Sequence, residues 1–229
     1  MEAENKGKTL WEMLCERMRG GANGNGAGVA FSNPLDLRVG SAVPVAYASG
    51  PEFASYNFTV REIREYTRRI QGQDFHFTDY VLTGVNTKSM DADAAMTARL
   101  RVVPNQAGAN DSLLLQLCDE FEFAEDFLAV VKDTTGLFKI TDDTSGVETT
   151  FTRINDLRES YEAAVLVVAD TTLDGKGAPA KVAPAKVEYW DYWCDAAIGG
   201  GKAAKEFVFV EMNSDTGWFQ IWRGREFFS

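Results

Sequence analysis

Apolar and polar residues alternate along most of this chain, in short runs closed off by Gly, Asn, Asp and Pro. That period of two predicts strands rather than helices. The clearest hairpin spans 56–85, where YNFTVREIREYTRRI turns through QGQD into FHFTDYVLTGV, with Gly72 in the turn. In its second half Phe75, Phe77, Asp79, Val81 and Thr83 alternate with His76, Thr78, Tyr80, Leu82 and Gly84. Both sets are partly apolar, which predicts a strand inside a sheet. LDLRVGSAVPVAYA gives two short extended pieces about Gly40-Ser41. TARLRVV (97–103) and SLLLQL (112–117) predict the next strands, and LFKIT with VETTFTRI a second hairpin around DDTSG. KVEYWDYWCDA, EFVFVEMN and WFQIWRGREF predict a closing meander, with SDTG as its tight turn.

Three stretches read differently. DEFEFAEDFLAVVKD suits either a strand followed by a loop or a short helix, and NDLRESYEAAVLVVAD reads as a helix that ends as a strand. At the start, Thr9 is placed to cap a helix, with Glu12 at the capping-box position. Leu10, Trp11, Leu14 and Met18 then share one face, and GGANGNGAG (20–28) follows as a flexible linker. The expected fold is therefore α+β, predominantly antiparallel β, as packed sheets or barrel-like halves. The organisation expected is an amphipathic helix at 1–19, a linker at 20–28 and a strand-rich domain at 29–229, with a candidate sub-boundary within 155–185, where TTLDGKGAPAKVAPAK is low in complexity.

Composition narrows the chemistry. The net charge is -11, from 34 acidic and 23 basic residues, and that field repels a nucleic-acid backbone. Arg61, Arg64, Arg68 and Arg69 form a basic stripe around Tyr66, but Glu62 and Glu65 interrupt it. Cross-strand ion pairs on an exposed sheet face are the expectation there, and no nucleic acid partner is expected. Cys15, Cys118 and Cys194 form no CxxC pair and fit a reducing compartment. MEAENKGK has no apolar core, and no stretch reaches the ~20 apolar residues of a spanning helix, so the expected location is cytoplasmic, at most peripheral to the inner membrane.

No catalytic centre is legible. His76 is the sole histidine and has no GxSxG partner motif; the glycine run lacks GK[ST] and follows a helix. One histidine and scattered cysteines do not compose a zinc site, so no cofactor and no metal are expected. The carboxylates Asp119, Glu120, Glu122, Glu125 and Asp126 read as a solvated acidic face, without the EF-hand spacing. Four of the five tryptophans fall in the last 40 residues. Trp190, Trp218, Trp222 and Arg223 there are either core or a partner-binding face, since Trp and Arg are frequent interface anchors.

PLDLRVGSAV, TDYVL and above all YWDYW…EFVFVEMNSDTGWFQIWRG resemble the bacterial YjfK-like proteins, a family of uncharacterised function, over roughly Pro34 to Phe227. The resemblance implies gene neighbourhoods with PspA-like membrane-remodelling proteins, and hence an accessory of an envelope-stress system. It implies no catalytic residues. The resulting expectation is a non-enzymatic binding or adaptor protein. Its partner would be a PspA-like or small membrane protein or a second copy of itself, with Leu10, Trp11, Leu14 and Met18 as the docking face and a peripheral membrane contact through the same helix. The alternatives are a self-assembling structural protein that uses the helix as an arm, and an enzyme with an unrecognised carboxylate site.

Overall fold

A computed structural model describes residues 35–45, 50, 52–70, 73–88, 95–104, 110–142, 145–154, 161–170, 185–198 and 202–227. Among them are eleven strands and a single helix of seven residues. In chain order these are β1 (Ala42–Val43), β2 (Tyr56–Ile70), β3 (Gln73–Asn86), β4 (Met96–Pro104), β5 (Asn110–Phe121), α1 (Glu125–Val131), β6 (Leu137–Thr141), β7 (Glu148–Arg153), β8 (Tyr161–Asp170), β9 (Ala185–Ile198), β10 (Lys202–Asn213) and β11 (Phe219–Glu226).

Two four-stranded meanders, β2-β3-β4-β5 and β8-β9-β10-β11, form the wall. They are closed on each other by β5 against β11 and by β8 against β2, every pair antiparallel. The result is a closed eight-stranded barrel, a size whose interior is just wide enough for side chains to fill. This corrects the α+β expectation: the described chain is nearly all β. DEFEFAEDFLAVVKD, read as either a strand followed by a loop or a short helix, divides: the strand ends at Phe121, and the helix after it is one short cover on the wall. Tyr161–Asp170, expected to follow a helix, is the strand that closes the barrel. The predicted helix at 1–19 and the linker lie outside the described residues. No helix among the described residues is long and apolar enough to cross a membrane.

Barrel closure explains why so many strands are apolar on both faces. One face lines the lumen, and the other is covered by the chain's own segments. On the outer wall Phe58, Val60, Ile63, Tyr80, Leu82, Leu100 and Val102 lie under β1 and the segment around Leu37 and Val39. A second outer cluster holds Trp190, Tyr192, Val208, Val210, Phe219 and Ile221 under α1 and the β6–β7 hairpin, through Val131, Phe138 and Phe151. Burying each such side chain contributes ~1.5–3 kcal/mol.

Three irregularities set the curvature. Arg61 is bulged out of β2, Cys118 out of β5 and Val168 out of β8, since the register skips each. The Arg61 bulge switches the inward positions of β2 to Glu62, Arg64, Tyr66 and Arg68. Gly224 of β11 marks a close approach: a Cβ there would lie 1.9 Å from the Leu114 carbonyl oxygen of β5.

Candidate functional site: the buried charge lattice and the aromatic rim

The lumen is not uniformly apolar. Asp79 of β3, Arg99 and Arg101 of β4, and Glu211 of β10 form one connected, fully buried cluster. Arg101 grips Asp79 with two bonds of 2.8 Å and reaches Glu211 at 2.9 Å. Arg99 donates to Glu211 at 2.5 Å, to the Tyr66 hydroxyl at 3.2 Å and to Gln220 Oε1 at 2.8 Å. A separate pair joins Arg68 to Asp191 at 3.1 Å. Three guanidinium groups thus face three carboxylates, so these buried groups carry no net charge.

Aromatic faces hold the cations. The Arg99 guanidinium lies 3.7 Å from the Trp222 ring centroid and that of Arg68 lies 4.4 Å from Tyr189. Arg101 sits 4.6 Å from the Phe77 ring and 4.7 Å from that of Phe209. Desolvated cation–π contacts of this kind are worth ~2 kcal/mol. Burial alone would raise the Glu211 carboxyl, but Arg99 and Arg101 outweigh it and hold it down at about 2. Asp191 differs: burial dominates and pushes its carboxyl up, against the opposing pull of Arg68 and Arg101. The Tyr66 hydroxyl is driven to about 12 by burial. These groups hold one another in place through hydrogen bonds and ion pairs, which makes them a specifying core.

The basic stripe expected on an exposed face is therefore split. Arg68 lies in the lumen, Arg64 is half-buried and pairs with Glu62 on the same inward face of β2, and Arg61 stands exposed on its bulge. The reason is the bulge itself, which turns alternate residues of β2 inward. Sequence reading passed over Arg99, Arg101, Asp191 and Glu211. The available signal was Arg99 and Arg101 at alternate positions between Ala98, Leu100 and Val102. His76 is exposed on its hairpin strand, with Nδ1 3.1 Å from Thr67 Oγ1. Among the described residues no group of three or more His, Cys, Asp or Glu is arranged to hold a metal ion.

The aromatic candidates also separate. Trp190 and Trp222 are each only 2% exposed, one on the covered outer wall and the other in the lumen. Arg223 is half-buried and bonded to Glu206 at 2.8 Å. Trp218, in contrast, is 40% exposed. Leu10, Trp11, Leu14 and Met18 lie outside the described residues.

Trp218 is fixed by the β10–β11 turn. Asn213 Oδ1 accepts from the backbone N–H groups of Asp215 and Thr216 at 2.9 and 3.1 Å. Gly217 takes φ +74, and the Asn213 N–H donates to the Trp218 carbonyl at 2.9 Å. This turn lies beside the end of β5, where the chain turns into α1. The Gly217 Cβ position is 3.4 Å from Phe123 Cβ, and Phe123, 52% exposed, stacks on Phe219 at 6.1 Å. Phe219 in turn packs on Phe121 and Phe127. Helix α1 forms here because its Phe127, Leu128 and Val131 meet the wall while Glu125 and Asp126 complement its first turn. Gly136, at φ +65, completes the turn between α1 and β6.

Phe123 and Trp218 therefore flank one rim of the barrel as solvent-facing aromatics on a rigid base. A polar relay ends at the same rim: Gln220 accepts from Arg99 and Trp222 and donates to the exposed Glu120. Comparison with known proteins adds no relative: no protein-family model, no curated protein and no solved structure matches this chain, and the resemblance to the YjfK-like proteins rests on the quoted segments alone.

Proposed function

We propose that the protein is a non-enzymatic binding module that docks another protein on the rim formed by Phe123 and Trp218. The observation that carries this reading is the sorting of the aromatics. Trp190, Trp222, Phe207, Phe209 and Phe219 are buried, while Phe123 and Trp218 stand out on a turn and a strand–helix junction that are internally braced. Solvent-facing aromatics on a fixed scaffold suit recognition, because few side-chain rotamers are lost on contact. The charge lattice supports the non-enzymatic reading: Asp79 and Glu211 are each paired with arginines, and the depressed Glu211 carboxyl is not poised to exchange a proton near neutral pH. An accessory role in an envelope-stress system is the context that the family resemblance implies for such a module.

Site-specific photo-crosslinking in the native cells tests this. A photoreactive residue at Trp218 is expected to give a discrete adduct that disappears when Phe123 is changed to Ser. The same residue at Lys139, on the exposed β6–β7 hairpin, is expected to give none. Equal adducts from both positions would refute the rim as the docking site.

A further inference from the structure

We infer that the partner segment seated on this rim is cationic and amphipathic: a lysine- or arginine-rich stretch that presents apolar side chains to Phe123 and Trp218. This rests on the reading of the rim as a docking site and names the chemistry of its occupant. The rim aromatics are bracketed by carboxylates. Glu122 and Glu125 lie on either side of Phe123 in the chain, Asp126 follows, and Asp215 lies in the turn that carries Trp218; all four are exposed. Glu120 adds a fifth, tethered by Gln220. Against them stand Lys132, at the far end of α1, and Lys186, whose carbonyl accepts from Ser214.

That imbalance decides between occupants. A second copy of the same rim would bring like charges together, which costs affinity. An anionic membrane surface would be repelled for the same reason. A cationic segment gains on both counts: its apolar side chains cover the aromatics, and its ammonium or guanidinium groups find the rim carboxylates and the ring faces. Rim charges of this kind act mainly through association rate and salt dependence, whereas the aromatics fix the dissociation rate.

The test uses the full chain and three synthetic peptides of one amphipathic pattern, with Leu and Trp on one face and Lys, Gln or Glu on the other, measured by fluorescence anisotropy. The lysine peptide is expected to bind one to one and to weaken as salt is raised. Phe123→Ser and Trp218→Ser are each expected to weaken it about thirtyfold, with an unchanged denaturation midpoint as the check on folding. The combined Glu122→Gln, Glu125→Gln, Asp126→Asn variant leaves only Glu120 and Asp215 and is expected to reduce the salt dependence by more than half while leaving residual apolar binding. If the lysine and glutamine peptides bind equally and both need the two aromatics, the cationic inference fails and the docking site stands. If lysine-peptide binding ignores both aromatic substitutions and follows net charge alone, inference and docking site fail together. Failure of all three peptides overturns the inference, and the crosslinking experiment then judges the docking site separately. Self-association that the aromatic variants abolish, seen by light scattering, would make a second copy the occupant and also overturn the inference.

Discussion

Glu211→Gln is the substitution that probes the barrel interior most sharply. The change is nearly isosteric, so it tests charge rather than volume. It leaves Arg68, Arg99 and Arg101 facing only Asp79 and Asp191, one uncompensated cation inside a closed wall. Removing one partner of a buried pair costs ~3–5 kcal/mol. The depression of the Glu211 carboxyl gives a similar size by another route. The Glu211 carboxyl falls from an ordinary 4.5 to about 2 in the fold, and at 1.36 kcal/mol per pH unit that is roughly 3 kcal/mol. For a domain of this length such a loss lowers Tm by about 6–12 °C.

The pH dependence has a definite sign. Because the folded value is depressed, the Glu211 charge stabilises the fold at every pH above its unfolded value of 4.5, and that contribution drains away as pH falls toward 2. Asp191 works oppositely: its raised carboxyl favours the fold in acid and loses that contribution as pH rises through its folded value. Guanidinium denaturation of wild type and variant at steps between pH 7 and pH 3 reads both. The expected gap is widest at pH 7 and narrows in acid. A variant as stable as wild type at pH 7, or a gap that does not change with pH, would refute the view that Glu211 is the charged counterpart of Arg99 and Arg101.

Other expectations are simpler to check. Trp222→Phe is expected to cost more stability than Trp190→Phe, by about 1–2 kcal/mol in chemical denaturation. At 222 the smaller ring weakens the Arg99 contact and the bond to Gln220 is lost, whereas the Trp190 indole N–H has no hydrogen-bond partner among the described residues. Gly224→Ala drives a methyl into the Leu114 carbonyl and is expected to lower the thermal midpoint more than Gly146→Ala, whose Cβ meets nothing within 4 Å and whose cost is only the left-handed backbone at φ +68, ~1 kcal/mol. The Cys194 thiol is pushed up to about 11, chiefly by burial and then by Glu206. It is expected to react with a thiol reagent slowly at pH 8, and fast labelling there would contradict that setting.

Local features of the fold were legible and its closure was not. SDTG marked its own turn: Gly217 supplies the positive φ and Thr216 one acceptor, while the preceding Asn213 supplies the side-chain acceptor that braces it. The hairpin at 56–85 was legible from two apolar runs about Gly72. The β8–β2 seam joins residues about a hundred positions apart, and no local pattern encodes such a pairing. The same gap hid the charge lattice. Alternating Arg and Leu in β4 ordinarily means one wet face and one dry face, but in a closed barrel with covered walls both faces are dry. The arginines of β2 were misplaced because a single bulge at Arg61 reverses which residues turn inward. The rim was half legible: Trp218 stood out with the other tryptophans, but only packing separates it from Trp190 and Trp222, and Phe123 lay in the stretch whose structure the sequence left open.

The rim claim meets its most direct test in fluorine NMR of the 5-fluorotryptophan-labelled protein, with signals assigned by single Trp→Phe variants and titrated with the lysine peptide. The account predicts that the Trp218 resonance shifts progressively while those of Trp190 and Trp222 stay in place. Movement of Trp190 or Trp222 with a stationary Trp218 would place binding elsewhere and contradict it.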